Sequence, residues 1–166
     1  AEACKNVGIK VVTFSSDLVF DGASKKPYIE SNPMKPLNIY GLSKKEAEEK
    51  ITALCPDALI IRTSAFFGPW DEYNFVTQMM KHITKGNVFL ASSDNVVSPT
   101  YVPDLVNATL DLLIDQECGI WHLANPSEIT WSDFAIKAAK MAGENHKLIK
   151  PCRGEYIRQI AGRPLY

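Results

Sequence analysis

The sequence predicts an α/β fold with a mainly parallel sheet. Three observations carry this. Short runs rich in β-branched and apolar residues recur at 9–14, 58–62 and 119–123, each of strand length. Between them lie longer stretches with apolar residues at helical spacing. Turn residues such as Gly86 and the Pro56-Asp57 pair punctuate the two kinds of segment.

Taken in order, residues 1–6 read as the tail of a helix. The strand at 9–14 delivers Ser15, Ser16 and Asp17 to its carboxyl end, where open parallel sheets bind ligands. The segment 21–36, with Pro27, Pro33 and Pro36, reads as a mobile or substrate-facing loop. A helix over 38–54 follows. Its run Lys44-Lys45-Glu46-Ala47-Glu48-Glu49-Lys50 reads as a solvated face with i,i+4 pairs. The strand at 58–62 is expected beside the first. Residues 70–85 carry Phe75, Val76, Met79, Met80 and Ile83 at helical spacing, with Gly86 as the stop, and read as core. A helix over 100–115 has Pro103 and Asp104 in its first turn, where Asp104 stabilises the helix start. After the strand at 119–123, Thr130 caps a helix over 131–142 with Asp133 at its third position. A last short strand is read at 147–150.

Composition narrows the function classes. The 166 residues suit one domain, with 46% hydrophobic and 22% charged content. Net charge is −1 with acids and bases interspersed, so no basic stripe marks a nucleic acid as partner. The sequence has no apolar run of about 18 residues, and no membrane partner is expected. Cys4, Cys55, Cys118 and Cys152 are scattered without a Cys-x-x-Cys spacing, which suits unpaired thiols in a reducing compartment such as the cytoplasm. His82, His122 and His146 share no metal-ligand spacing and read as structural or surface groups; no metal is expected.

The chemistry concentrates in Tyr40-Gly41-Leu42-Ser43-Lys44. Residues four apart on a helix lie on one face, so the phenol and the ammonium are neighbours. The positive charge favours phenolate and makes the phenol a readier acid, which protonating an alkoxide requires. Lys45 points about 140° away from that face. On spacing alone the pair is also an ordinary helix-surface contact; Ser15-Ser16-Asp17 at the end of a preceding strand is what gives it a site.

The stretches Ser15-Ser16-Asp17-Leu18-Val19-Phe20-Asp21-Gly22, Pro27-Tyr28-Ile29-Glu30 and Pro36-Leu37-Asn38-Ile39-Tyr40-Gly41-Leu42-Ser43-Lys44 resemble, in order, the extended short-chain dehydrogenase/reductase family. Its dTDP-4-dehydrorhamnose reductase-like branch is the nearer match. Arg62-Thr63-Ser64, Ser98-Pro99-Thr100-Tyr101-Val102-Pro103-Asp104-Leu105, Gly119-Ile120-Trp121-His122-Leu123-Ala124-Asn125 and Arg163-Pro164 continue the resemblance. It implies the C-terminal part of a Rossmann-like parallel sheet (residues 1–65) plus a smaller α/β substrate-binding region (66–166), with the 100–116 helix packing back on the sheet.

The implied reaction is hydride transfer from NADPH or NADH to the C4 ketone of a nucleotide-linked sugar. By position, Tyr40 would donate the proton, Lys44 would assist it and hold the nicotinamide ribose, and Ser16 would hydrogen-bond the substrate oxygen. Ser15, Arg62, Thr63 and Ser64 join Tyr40 and Lys44 as implied cofactor contacts; Asp17, Leu18, Ala65, Phe66 and Arg163 are implied substrate contacts. Arg153, Arg158 and Arg163 are candidate cations for a diphosphate. The reductases usually carry Tyr where Leu18 stands, and often Trp where Ala65-Phe66-Phe67 stands. Both changes fall among expected sugar contacts and leave the sugar open. Leu18 has no ionisable group and argues against a 4,6-dehydratase, which needs an acid there. A sugar-nucleotide epimerase and a non-catalytic NADP-binding regulatory subunit remain alternatives. A homodimer, or fusion to or association with another enzyme domain, is the expected assembly. No Gly-x-Gly-x-x-Gly occurs, so the chain is expected to be a C-terminal fragment that by itself binds NAD(P)H poorly and does not turn over.

Overall fold

The computed structural model describes residues 1–24 and 26–157, in which helices are separated by one to three strands along the chain. In order they are α1 (Glu2–Asn6), β1 (Val12–Ser16), α2 (Ile39–Leu54), β2 (Leu59–Thr63), β3 (Phe66–Phe67), α3 (Phe75–Ile83) and β4 (Phe89–Ser92). Then come β5 (Val96–Val97), β6 (Thr100–Tyr101), α4 (Val102–Ile114), β7 (Gly119–His122), β8 (Ile129–Thr130), α5 (Trp131–Met141) and β9 (Ile149–Cys152).

β2 is the centre of a parallel sheet of order β1-β2-β7. All five of its residues are buried, which is why Leu59-Ile60-Ile61 is apolar without alternation: a central parallel strand is covered on both faces. Its register sets Ser16 opposite Thr63 and Arg62 opposite His122, so the polar residues collect at one edge, the carboxyl ends. Leu105, Leu112 and Leu113 of α4 pack with Leu59, Ile61, Val12 and Trp121. A second core joins Met79 and Ile83 of α3, Ala91 of β4, Ala135 and Ala139 of α5, and Ile149 of β9. Ala135 and Ala139 are one helical turn apart and fully buried, and their small side chains let α5 lie close to the β4–β9 pair. No helix among the described residues is long and apolar enough to cross a membrane.

Several boundaries differ from the sequence reading, each for a local reason. The helix expected from residue 70 begins at Phe75, because Asn74 caps it: its Oδ1 accepts the Thr77 amide at 2.9 Å while its Nδ2 donates to the Gly68 and Asp71 carbonyls. The helix expected from residue 100 begins at Val102, because Thr100 and Tyr101 pair in parallel with Phe66 and Phe67. The last strand starts two residues late, after a single 3-10 turn at His146–Leu148 capped by Asn145. Two-residue strands such as β3, β5, β6 and β8 carry no periodicity for a sequence to display.

One correction matters for the site. Lys45–Glu49 and Glu46–Lys50 are surface i,i+4 pairs as read, with Lys45 half-buried and the other three exposed. Glu48 is not on that solvated face. It is 2% exposed and pairs with Arg62, itself 3% exposed, at 2.6 Å.

Candidate active site

A cavity of about 730 Å³ opens at the carboxyl ends of β1 and β2. Its sheet side is formed by Ser15, Ser16, Asp17, Leu18, Thr63, Ser64, Ala65 and Phe66, together with Tyr40 from α2. β1 ends in a 3-10 turn (Asp17–Val19), and Ser16 caps that turn, its Oγ accepting the Leu18 amide at 3.1 Å. The same hydroxyl donates to Asp17 Oδ1 at 2.9 Å, while Asp17 Oδ2 accepts from Ser64 Oγ at 2.6 Å. Asp17 thereby ties the ends of β1 and β2 together.

Tyr40 reaches the cavity because Gly41 follows it. A Cβ at residue 41 would run into the Leu18 carbonyl oxygen and crowd the Pro36 ring, so only glycine lets the first turn of α2 settle on the 3-10 turn. Asn38 holds that turn, its Oδ1 accepting the Gly41 amide at 2.7 Å. Lys44 stands one helical turn behind the phenol rather than in the cavity lining. Its Nζ donates to the Phe14 carbonyl at 3.0 Å and lies 5.7 Å from the Tyr40 ring centroid.

Arg62, expected as a cofactor contact, borders the cavity but has its donors engaged by the protein. Its Nε and Nη2 reach the Glu48 carboxylate at 2.6–3.2 Å, and its Nη1 reaches the Glu30 carbonyl and His122 Nε2, each at 3.2 Å. The guanidinium carbon also lies 5.1 Å from the Phe20 ring centroid. Ser15 Oγ and Thr63 Oγ1 show the opposite. Both residues are buried, both line the cavity, and neither hydroxyl has a partner. Buried polar atoms are nearly always paired, so these two are suited to a polar ligand. Ala65, just beyond β2, takes φ +38°, a left-handed conformation that turns the chain sharply along the cavity rim.

The sequence reading missed most of the remaining lining. Across the cavity stand Asn95, Val96, Val97, Ser98, Ala124, Asn125, Pro126, Ser127, Glu128 and Trp131; Phe20, Pro27, Tyr28 and His122 complete it. His122 had a signal, its place at the carboxyl end of a parallel strand like Ser16. Val96 and Val97 had none; Ser98 opened a stretch that carries the family resemblance. Asn125 joins two elements: its Oδ1 accepts the Tyr101 amide at 2.7 Å and its Nδ2 donates to Asp104 at 3.2 Å. Asp104 therefore does more than stabilise a helix start. Arg153 is exposed and pairs with Glu155 at 3.4 Å; Arg158 and Arg163 lie outside the described residues.

Residues 1–166 match the family model described as the RmlD substrate binding domain. The chain belongs to that family. This places it in the dTDP-4-dehydrorhamnose reductase-like branch of the extended short-chain dehydrogenase/reductases, with a Rossmann-like parallel sheet. Among curated relatives, the spore coat polysaccharide biosynthesis protein SpsK of Bacillus subtilis is 34% identical over 96% of this chain and 56% of its own. A crystal structure of a dTDP-4-dehydrorhamnose reductase from Clostridium acetobutylicum superposes with TM-score 0.94 at 32% identity, covering 99% of this chain and 58% of that one. The Bacillus anthracis reductase in complex with NADP gives 0.93 at 32%, with the same coverage. The chain thus spans somewhat over half the length of the relatives it matches.

Proposed function

We propose that the intact protein is an NAD(P)H-dependent reductase of a nucleotide-linked 4-keto sugar. The observation that carries this reading is the convergence of Ser16 and Tyr40 on one cavity at the sheet's carboxyl edge, with Lys44 directly behind the phenol. Support comes from relatives whose names state that reaction, one of them bound to NADP.

Reduction of a ketone leaves negative charge on its oxygen, and that oxygen must take a proton. Tyr40 supplies it from its phenol, and the Lys44 ammonium steadies the phenolate left behind. Ser16 has a single hydroxyl proton, directed in the free site at Asp17. To serve the substrate oxygen it rotates away from Asp17, whose other oxygen remains held by Ser64. A reduced nicotinamide dinucleotide, when bound, supplies the hydride. The unpartnered hydroxyls of Ser15 and Thr63 fit such a polar ligand, with Ser64 and Tyr40 in the same lining and Lys44 behind Tyr40. Arg62 acts on this side as a strut through Glu48 rather than as a contact. Asp17, Leu18, Ala65 and Phe66 form the sugar end. Residues 1–65 make the cofactor side and 66–166 mainly the substrate side, with β7 in the sheet and α4 packed back on it. We place the protein in the cytoplasm, as a homodimer or joined to another enzyme domain, which sedimentation of the intact protein distinguishes.

Replacing Tyr40 by phenylalanine in the intact protein tests the reading. Turnover is expected to fall by about 10²–10⁴ as a general acid is lost, with NADPH affinity essentially unchanged. A Tyr40→Phe protein that reduces the ketone at the original rate would reject the assignment.

A further inference from the structure

The wall of the cavity facing β7 is a loop held by charged groups. Pro27 and Tyr28 line the cavity, with Phe20 stacked on the Tyr28 ring at 4.3 Å. Three hydrogen bonds fix this segment to the sheet. The Glu30 carbonyl accepts from Arg62 Nη1 at 3.2 Å, Glu30 Oε1 accepts the His122 amide at 2.9 Å, and His122 Nδ1 meets the Tyr28 carbonyl at 3.2 Å.

The protonation state of His122 follows from its partners. Arginine has only donors, so Nε2, 3.2 Å from Arg62 Nη1, must accept and carry no proton. The remaining proton sits on Nδ1, where it is donated to the Tyr28 carbonyl. A second proton would turn Nε2 from an acceptor into a donor aimed at a guanidinium that Glu48 holds in place.

We propose that His122 is a positioning residue of the cavity, whose neutral Nδ1–H form pins the Pro27–Tyr28 wall in the shape that receives substrate, and whose protonation releases that wall. As a role within the substrate site, it rests on the reductase reading; as a property of the loop, it does not. The surroundings favour the neutral form near neutral pH. Burial is the largest influence holding the imidazole below its ordinary value, and the Arg62 cation acts in the same direction. The Glu30 carboxylate, the Tyr28 carbonyl and the Glu48 carboxylate oppose them without reversing the direction. Phe20 is edge-on to the ring at 5.7 Å and carries no charge. Because the folded state holds the imidazole below its unfolded value, the unfolded state takes up the extra proton first. Stability and wall closure are therefore complete above the ordinary histidine range of about 6.5 and are lost as pH falls through the lower folded value.

The test uses the intact protein, its His122→Leu and His122→Asn variants, and two independent readouts. Nitrogen NMR of the imidazole should show Nδ1–H and unprotonated Nε2 at about pH 7.5. Amide exchange across residues 28–32, corrected for intrinsic rate, should be slow at that pH and speed up on acidification. In His122→Leu it should be fast throughout. His122→Asn keeps an N–H where Nδ1 stood, so exchange should be slow and indifferent to pH. In turnover with NADPH and a dTDP-linked 4-keto sugar, His122→Leu should raise KM about tenfold and leave kcat within about twofold. His122→Asn should recover most of that loss and flatten the acid limb of the KM profile. An Nε2–H tautomer, or His122→Leu with native exchange and native KM, would overturn the proposal. Absence of reductase activity in the wild-type protein would count against the function proposed above, and exchange and NMR would then decide the His122 inference alone.

Discussion

On the sheet side of the cavity, the buried hydroxyls of Ser15 and Thr63 have no protein partner, whereas Asn95 and Asn125, also in the lining, engage their side-chain amides within the protein. Asn95 Oδ1 accepts from Ser92 Oγ at 2.6 Å, and Asn125 binds both Tyr101 and Asp104. The two walls have different tasks. The Ser15 and Thr63 hydroxyls at the strand ends are buried without a protein partner, at a standing cost to the fold. Asn95 and Asn125 close hydrogen bonds within the protein and contribute shape.

The largest expected effect breaks the sheet side from beneath. Removing Arg62 or Glu48 singly, as Arg62→Ala or Glu48→Ala, strands the other buried charge and should cost about 3–5 kcal/mol, read by denaturant unfolding. Lys50→Ala, on the exposed face of the same helix, should leave stability within experimental error. Next is Gly41→Ala, which forces α2 off the Leu18 carbonyl. It should cost about 1–3 kcal/mol and lower turnover by displacing Tyr40. Asn125→Ala should cost about 1 kcal/mol and leave NADPH affinity unchanged, since the Asn125 amide serves to join Tyr101 and Asp104. Smallest in stability, and the sharpest contrast, are Ser15→Ala and Thr63→Val. Each removes an unpaired buried hydroxyl and should leave stability within about 1 kcal/mol, on the stabilising side, while weakening NADPH binding about three- to tenfold by calorimetry.

The sheet side was legible in the sequence because strand ends and a helical i,i+4 pair are local patterns. Ser16, Tyr40 and Lys44 each sit a fixed phase from a recognisable element. Glu48 was misread because it stands in a run that is charged at every position but Ala47. It lies seven residues, two turns, beyond Gly41, and these are the two buried residues of α2; a phase argument started at Gly41 would have found it. The far wall was illegible for another reason. β5 pairs with β8 through two residues on each strand, and only the fold brings those positions opposite Ser16. The loop 21–36 is legible as a loop and as a cavity wall, but its anchors are not, because His122 and Arg62 come from distant strands.

The most direct measurement of the central claim is the stoichiometry of reduction by the intact protein given NADPH and a dTDP-linked 4-keto sugar. The account predicts one NADPH oxidised for each ketone converted to alcohol. An inverted sugar with no net NADPH consumed, or NADPH bound with no conversion at all, would contradict it.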